Sequence, residues 1–137
     1  MKEIKGVRRE MREILFRAFV KDKSKIYDIK KIDFDYGMVW FEEENKHTDT
    51  MRMFDQIELM QYTGLTDKNG TKIFEGDICL CDRHISDRYD KQTFIIDFEP
   101  LRGWFGITQD GWGEFDGSSF EYAEVIGNIH DQNVGEK

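Results

Sequence analysis

LMQYTGLTDKNGTKIFEGDI, Leu59 to Ile78, sets two apolar stretches on either side of a tight polar turn. Asp67-Lys68-Asn69-Gly70 is the reversal, because Asn and Gly tolerate the positive φ that tight hairpin-type turns require. Gly76-Asp77 then stands at the mouth of a strand beginning at Ile78. Gly permits a sharp bend there, and Asp can hydrogen-bond its own local backbone. The stretch holds no phosphate loop, nucleophile or metal-ligand set. Its demands are conformational: a strand, a reversal and a second strand entry.

Upstream, "ILFRAFV" from Ile14 reads as a strand, and Lys21–Lys25 as a polar turn. Ile32, Phe34 and Tyr36 alternate with polar residues at a period of two, which predicts a strand ended by Gly37. Met38–Phe41 gives the next strand, Glu42–Thr50 a charged loop, and "MRMFDQIELMQYTG" an apolar return. Downstream come "DICLC", a polar run, and "QTFIIDFE", whose Phe94, Ile96 and Phe98 share one face. "GWFGIT" is a further strand and "QDGWGEFDGSS" a Gly-rich loop. The chain closes with a turn around Glu121–Glu124 and a strand at Val125–Ile129. Residues 1–10 read as a frayed or weakly helical lead-in. Short strands with turn signals about every ten residues predict a small barrel or sandwich.

A length of 137 residues suffices for one domain, or for two small lobes sharing a core. The 14% aromatic share argues against disorder despite 35% charged residues. No apolar run approaches the ~20 residues of a membrane helix, and the N-terminus lacks the apolar core of a signal peptide. The expectation is therefore a cytoplasmic protein, and Cys79 and Cys81 fit a reducing compartment. Charge is uneven. Residues 1–31 hold 11 Lys/Arg against 5 Asp/Glu, while residues 32–137 hold 9 against 23. An acidic body repels the phosphate backbone, which argues against nucleic acid as a partner except at the basic N-terminal segment.

Cys79, Cys81 and His84 resemble half of a zinc site, but a structural site takes four ligands and no second cysteine pair exists. They read as ordinary strand residues, and neither metal nor cofactor is expected. No Ser-His-Asp spacing, H-E-x-x-H, Walker loop or nucleophile elbow is present, so no catalytic residue is nominated and the chain is not expected to be an enzyme. "GWFGITQDGWGEF" gathers Trp104, Phe105, Trp112 and Phe115 among glycines. Trp104, Trp112 and Phe115 are the candidate partner contacts, since aromatics on a barrel loop can line a groove for an extended peptide. The competing reading fills the barrel with Trp104 or Phe105 and uses the glycines for its bends. Trp112, between two glycines, reads as a loop-tip contact.

Gln61-Tyr62-Thr63-Gly64-Leu65, Asp67-Lys68-Asn69-Gly70 and Glu75-Gly76-Asp77-Ile78 match a Q-Y-T-G-L, D-K-N-G, E-G-D-I/V signature. In these residues the chain resembles the YopX family of bacteriophage and prophage proteins. "FRAF" at Phe16–Phe19 is similar to that family's F-R-A-W, with Phe19 in place of tryptophan, and "EVIGNIH" at Glu124–His130 resembles its C-terminal strand. The matches run in order from Arg12 to Asp131. The resemblance implies a mainly β fold: a β-rich N-terminal lobe over residues 11–60, then an SH3-type β-barrel lobe over 61–137. It leaves residues 1–10 as an unexplained extension. It also implies a phage gene expressed in a bacterial host, and no activity. The resulting expectation is a small non-enzymatic interaction module that engages a host or phage protein. Two alternatives stand beside it: an acidic decoy of a nucleic-acid-binding protein, and nucleic-acid binding through the basic N-terminal segment.

Overall fold

In the computed structural model, residues 12–85, 88–108 and 114–131 are described, with backbone alone over 82–85 and 88–91. The strands are β1 (Phe16–Val20), β2 (Lys25–Asp28), β3 (Lys31–Asp33), β4 (Met38–Phe41), β5 (Thr50–Met53), β6 (Ile57–Thr66) and β7 (Lys72–Phe74). They continue as β8 (Asp77–Ile85), β9 (Arg88–Glu99), β10 (Gly103–Thr108), β11 (Glu114–Asp116) and β12 (Ala123–Asn128). Short 3₁₀ turns cover Phe54–Gln56 and Gly117–Tyr122. The fold is mainly β, as the sequence led us to expect.

Three antiparallel sheets form, in the orders β2-β1-β6-β7, β3-β4-β5 and β11-β10-β9-β8-β12. The last has the SH3-type arrangement. A meander runs from β8 to β11, and a 3₁₀ turn then returns the chain so that β12 lies beside β8. Strand β6 runs without a break across the 60/61 boundary of the two expected lobes. Its first half pairs with β1, Phe16 opposite Gln61, and its second half with β7, Tyr62 opposite Phe74.

Alternation along the strands builds two cores. Ala18, Val20, Val39, Phe41 and Ile57 cluster in the N-terminal part. Ile73, Cys79, Cys81, Phe94, Ile96, Phe120 and Ala123 fill the barrel. Cys79 and Cys81 share the inward face of β8, as residues i and i+2 of a strand must. Burial pushes the Cys79 thiol up to about 12, so it stays neutral and packs as a small apolar group. Opposite it, Phe94 lies so close to Gly106 that a Cβ there would meet its ring at 2.1 Å. Gly106 is thus fixed by the bulk of Phe94.

Several expectations need correction. The strand predicted through Phe34 and Tyr36 stops at Asp33, whose carboxylate accepts the N–H groups of Asp35 and Tyr36 and turns the chain. Short polar side chains compete in this way with a sheet ladder. The loop predicted over "QDGWGEFDGSS" contains β11 and the start of the second 3₁₀ turn, capped where Asp116 accepts the Ser118 N–H. That turn takes the place of the one expected at Glu121–Glu124, and the last strand begins earlier, at Ala123. Phe98 shares the face of Phe94 and Ile96 but lies beyond the core edge, 48% exposed. The lead-in at 1–10 and Trp112 fall outside the described residues.

Candidate functional site

The signature stretch is a joint. Asp77, 1% exposed at the entry of β8, forms an ion pair with Arg17 on β1 and accepts the Phe74 N–H at 2.8 Å. Arg17 also lies 4.5 Å over the Phe74 ring. Burial pushes the Asp77 carboxyl up by more than Arg17 and the Phe74 N–H pull it down. Gly76 adopts φ +83°, donates its N–H to Ile96 O and accepts from Ile129 N, both at 2.9 Å. His130 stacks on Phe19 with centroids 4.0 Å apart and an interplanar angle of 3°. Its Nε2 sits 2.9 Å from Glu58 Oε2, an ion-pair distance without hydrogen-bond alignment. The motifs at Phe16–Phe19, Glu75–Ile78 and Glu124–His130 therefore meet at one place.

The other end of the signature docks on the last strand. Asp67 Oδ1 accepts from Asn69 N and Thr71 N, and its Oδ2 from Val125 N at 2.9 Å. Burial alone would push this carboxyl up, but the three backbone donors overcome it and hold it below its ordinary value. Gly70 closes the turn at φ +80°. Thr63 donates to Ile73 O at 2.8 Å and accepts from Leu65 N at 3.1 Å, which stabilises the irregular pairing of β6 with β7 around Gly64 at φ +85°. Gln61 and Glu75 bond across the two strands, Glu75 N to Gln61 O at 2.9 Å.

Beside the joint runs an open groove. A hollow of about 420 Å³ lies between Gly64-Leu65-Thr66 on β6 and Gly117, Ser118, Phe120 and Glu121 on the second 3₁₀ turn. Another of about 250 Å³ is lined by Arg102, Trp104, Phe105, Glu114, Phe115 and Asp116. A narrow notch at Gln61–Gly64 and Trp104 lies between them, sharing Gly64 with the first and Trp104 with the second. The structure thus brings Trp104 and Phe115 to one hollow. Both are half-buried: Trp104 meets Phe98 edge-on at 4.9 Å, and Phe115 stacks on Phe94 at 4.6 Å. Arg102 lies 4.3 Å over Phe105 and pairs with Glu99 and Glu114.

Sequence reasoning did not find Leu65, Arg102 or Glu121 as groove residues, because the wall comes from strands distant in sequence. Nor did it find Arg17, although Arg17 lies within the "FRAF" match. Among the described residues, no group of three or more His, Cys, Asp or Glu could hold a metal ion. No described helix is long and apolar enough to cross a membrane.

The family model described as YopX protein matches residues 15–134. The crystal structure of protein EF1440 from Enterococcus faecalis is similar over 90% of this chain and 97% of that one, at 24% identity and a TM-score of 0.59. At that identity the likeness speaks for the fold alone. No curated protein matches the chain.

Proposed function

Because the chain belongs to the YopX family, a membership that brings no activity with it, we propose that it is a small protein-interaction module without catalytic function. It acts in the cytoplasm of a bacterial host, where it is encoded by a phage or prophage. Its partner is a host or phage protein that lays an extended segment along the groove between β6, β10 and the second 3₁₀ turn. The observation that carries this reading is the shared lining of three neighbouring concavities: Gly64 belongs to two of them and Trp104 to two, and apolar and polar residues mix in their walls. Shallow, aromatic-lined channels of this kind suit extended peptides, which are held by ring contacts and a few placed polar groups.

Affinity capture from a bacterial host lysate tests it, with Leu65→Ser and Trp104→Ala beside the unaltered chain. Leu65 is 38% exposed, so its replacement should cost the fold little, which the melting temperature of the variant checks. We expect one protein retained through a high-salt wash and lost from both variants, since apolar contacts withstand salt. Retention unchanged by both variants refutes the groove. A partner released by salt alone would instead favour the acidic decoy, whose contacts are charge-driven.

A further inference from the structure

The β3–β4 turn carries a second surface, away from the groove. Phe34 is 75% exposed and Tyr36 73%, and Phe54, 39% exposed, meets Phe34 edge-on at 6.3 Å. Single exposed rings are ordinary, but a contiguous set marks a contact surface. The set is also held in place. Asp33 fixes the turn through the N–H groups of Asp35 and Tyr36, and Gly37 O accepts Phe54 N–H at 2.8 Å. The backbone that carries the three rings is therefore ordered before anything covers them, which lowers the cost of binding.

Charge identifies what covers them. Asp33 and Asp55 each adjoin one of these rings in sequence and Asp35 lies between two; among the described residues none of the three carboxylates has an ion-pair partner, and Lys21 Nζ donates to the Asp55 backbone carbonyl at 3.1 Å rather than to its carboxylate. Elsewhere in the same part of the chain most carboxylates are matched: Asp22 with Arg52, Glu42 and Asp49 with Lys30, Glu43 with Lys23 and Lys46, while exposed Asp28 is not. Rings interleaved with unmatched carboxylates suit a cation, which takes the ring face and the carboxylate together. The same sheet already uses the first of these contacts internally, with Lys31 Nζ 4.6 Å from the Trp40 ring.

We propose that Phe34, Tyr36 and Phe54, with Asp33, Asp35 and Asp55, form a docking surface for an extended lysine- or arginine-bearing segment of a partner protein. The probe is a fluorescein-labelled peptide of four Lys-Ala repeats, read by fluorescence polarisation against the full chain, with a Glu-Ala peptide as the control. The double variant Phe34→Ser/Tyr36→Ser leaves net charge unchanged and should weaken binding by about fivefold or more. Asp35→Asn should weaken it about twofold to threefold. Asp28→Asn makes the same charge change at an exposed residue of β2, opposite Arg17 on β1, and should leave binding unchanged. The proposal is overturned if the Lys-Ala peptide does not bind, or if the double variant binds as the parent does, for then general acidity is responsible. It is also overturned if sedimentation shows a dimer that the double variant abolishes, for then a second copy covers the rings. Because Asp35 is exposed and Asp35→Asn spares the turn, that variant decides the matter should the double variant fold poorly.

Discussion

Asp67 and Asp77 are both buried carboxylates of one signature, and they are satisfied in opposite ways. Asp67 is held by three backbone N–H groups, with the neighbouring Lys68 charge a lesser influence; its carboxyl is held down. Asp77 has one backbone N–H and the Arg17 guanidinium, yet burial wins and its carboxyl is pushed up. Backbone donors are fixed by the fold and need no desolvation of a second charge. A cation must itself leave water, and that cost offsets its attraction. The first arrangement locks a local turn onto a strand 58 residues further on. The second ties together side chains 60 residues apart.

The strongest way to break this contrast is Arg17→Met. It leaves Asp77 buried without its cation and should cost about 3–5 kcal/mol, seen as a lower urea midpoint. The loss should be greatest at neutral pH and smaller in acid, where Asp77 is protonated. The sign follows from linkage. A carboxyl raised above its ordinary 3.8 keeps a proton in the folded chain that the unfolded chain has released, so rising pH removes stability across that window. A loss that is constant with pH would show that Arg17 acts only by packing.

Gly76→Val probes the same end of the joint. The residue sits at φ +83°, and a Cβ would meet Met60 Cε at 2.9 Å. A loss of about 2–3 kcal/mol in thermal or urea unfolding is expected, and an unchanged melting temperature would contradict the strained entry.

Asp67→Ala removes the acceptor for three backbone donors in part-buried bonds and should cost about 2 kcal/mol at pH 7. Here linkage runs the other way. The Asp67 contribution is complete above its ordinary 3.8 and is lost as pH falls through the lower folded value, so parent and variant should converge in acid. Parallel stability curves down to pH 2 would refute the role of the ionised carboxylate. The smallest effect is expected at Gly70→Ala. Its φ of +80° carries strain, but open space surrounds it, so about 1 kcal/mol should be lost. An effect as large as that at Gly76 would mean that packing adds little to backbone strain at either site.

These contrasts bear on what the chain disclosed in advance. The reversal at Asp67–Gly70 and the entry at Gly76-Asp77 were legible, because turns announce themselves in residues with special backbone freedom. That Cys79 and Cys81 share one face followed from strand parity, whereas which face is inward came only from packing. What resisted reading depended on partners distant in sequence: Arg17 against Asp77, Val125 on Asp67, and the groove wall shared by Leu65 and Glu121. Alternation misled at Phe34 and Tyr36, because a period of two cannot distinguish a strand from a turn fixed by the preceding aspartate. Among the candidate contacts, Trp104 and Phe115 converge on one hollow. Pattern alone could not divide either side chain between core and surface, and both are in fact partly in each.

The position of β12 has a consequence for synthesis. Three of the fixings described above — Val125 on Asp67, Ile129 on Gly76 and His130 on Phe19 — join the last strand region to segments made much earlier. On the ribosome, β8 waits for its second neighbour until Ala123–Asn128 have been translated. Until then it presents an unpaired edge, and the Arg17–Asp77 region lies uncovered. Folding is thus expected to be late and slow, as for other chains dominated by contacts between distant residues. Nascent chains arrested before Ala123 should be cut readily by protease, whereas chains that include Asp131 and have cleared the exit tunnel should resist it.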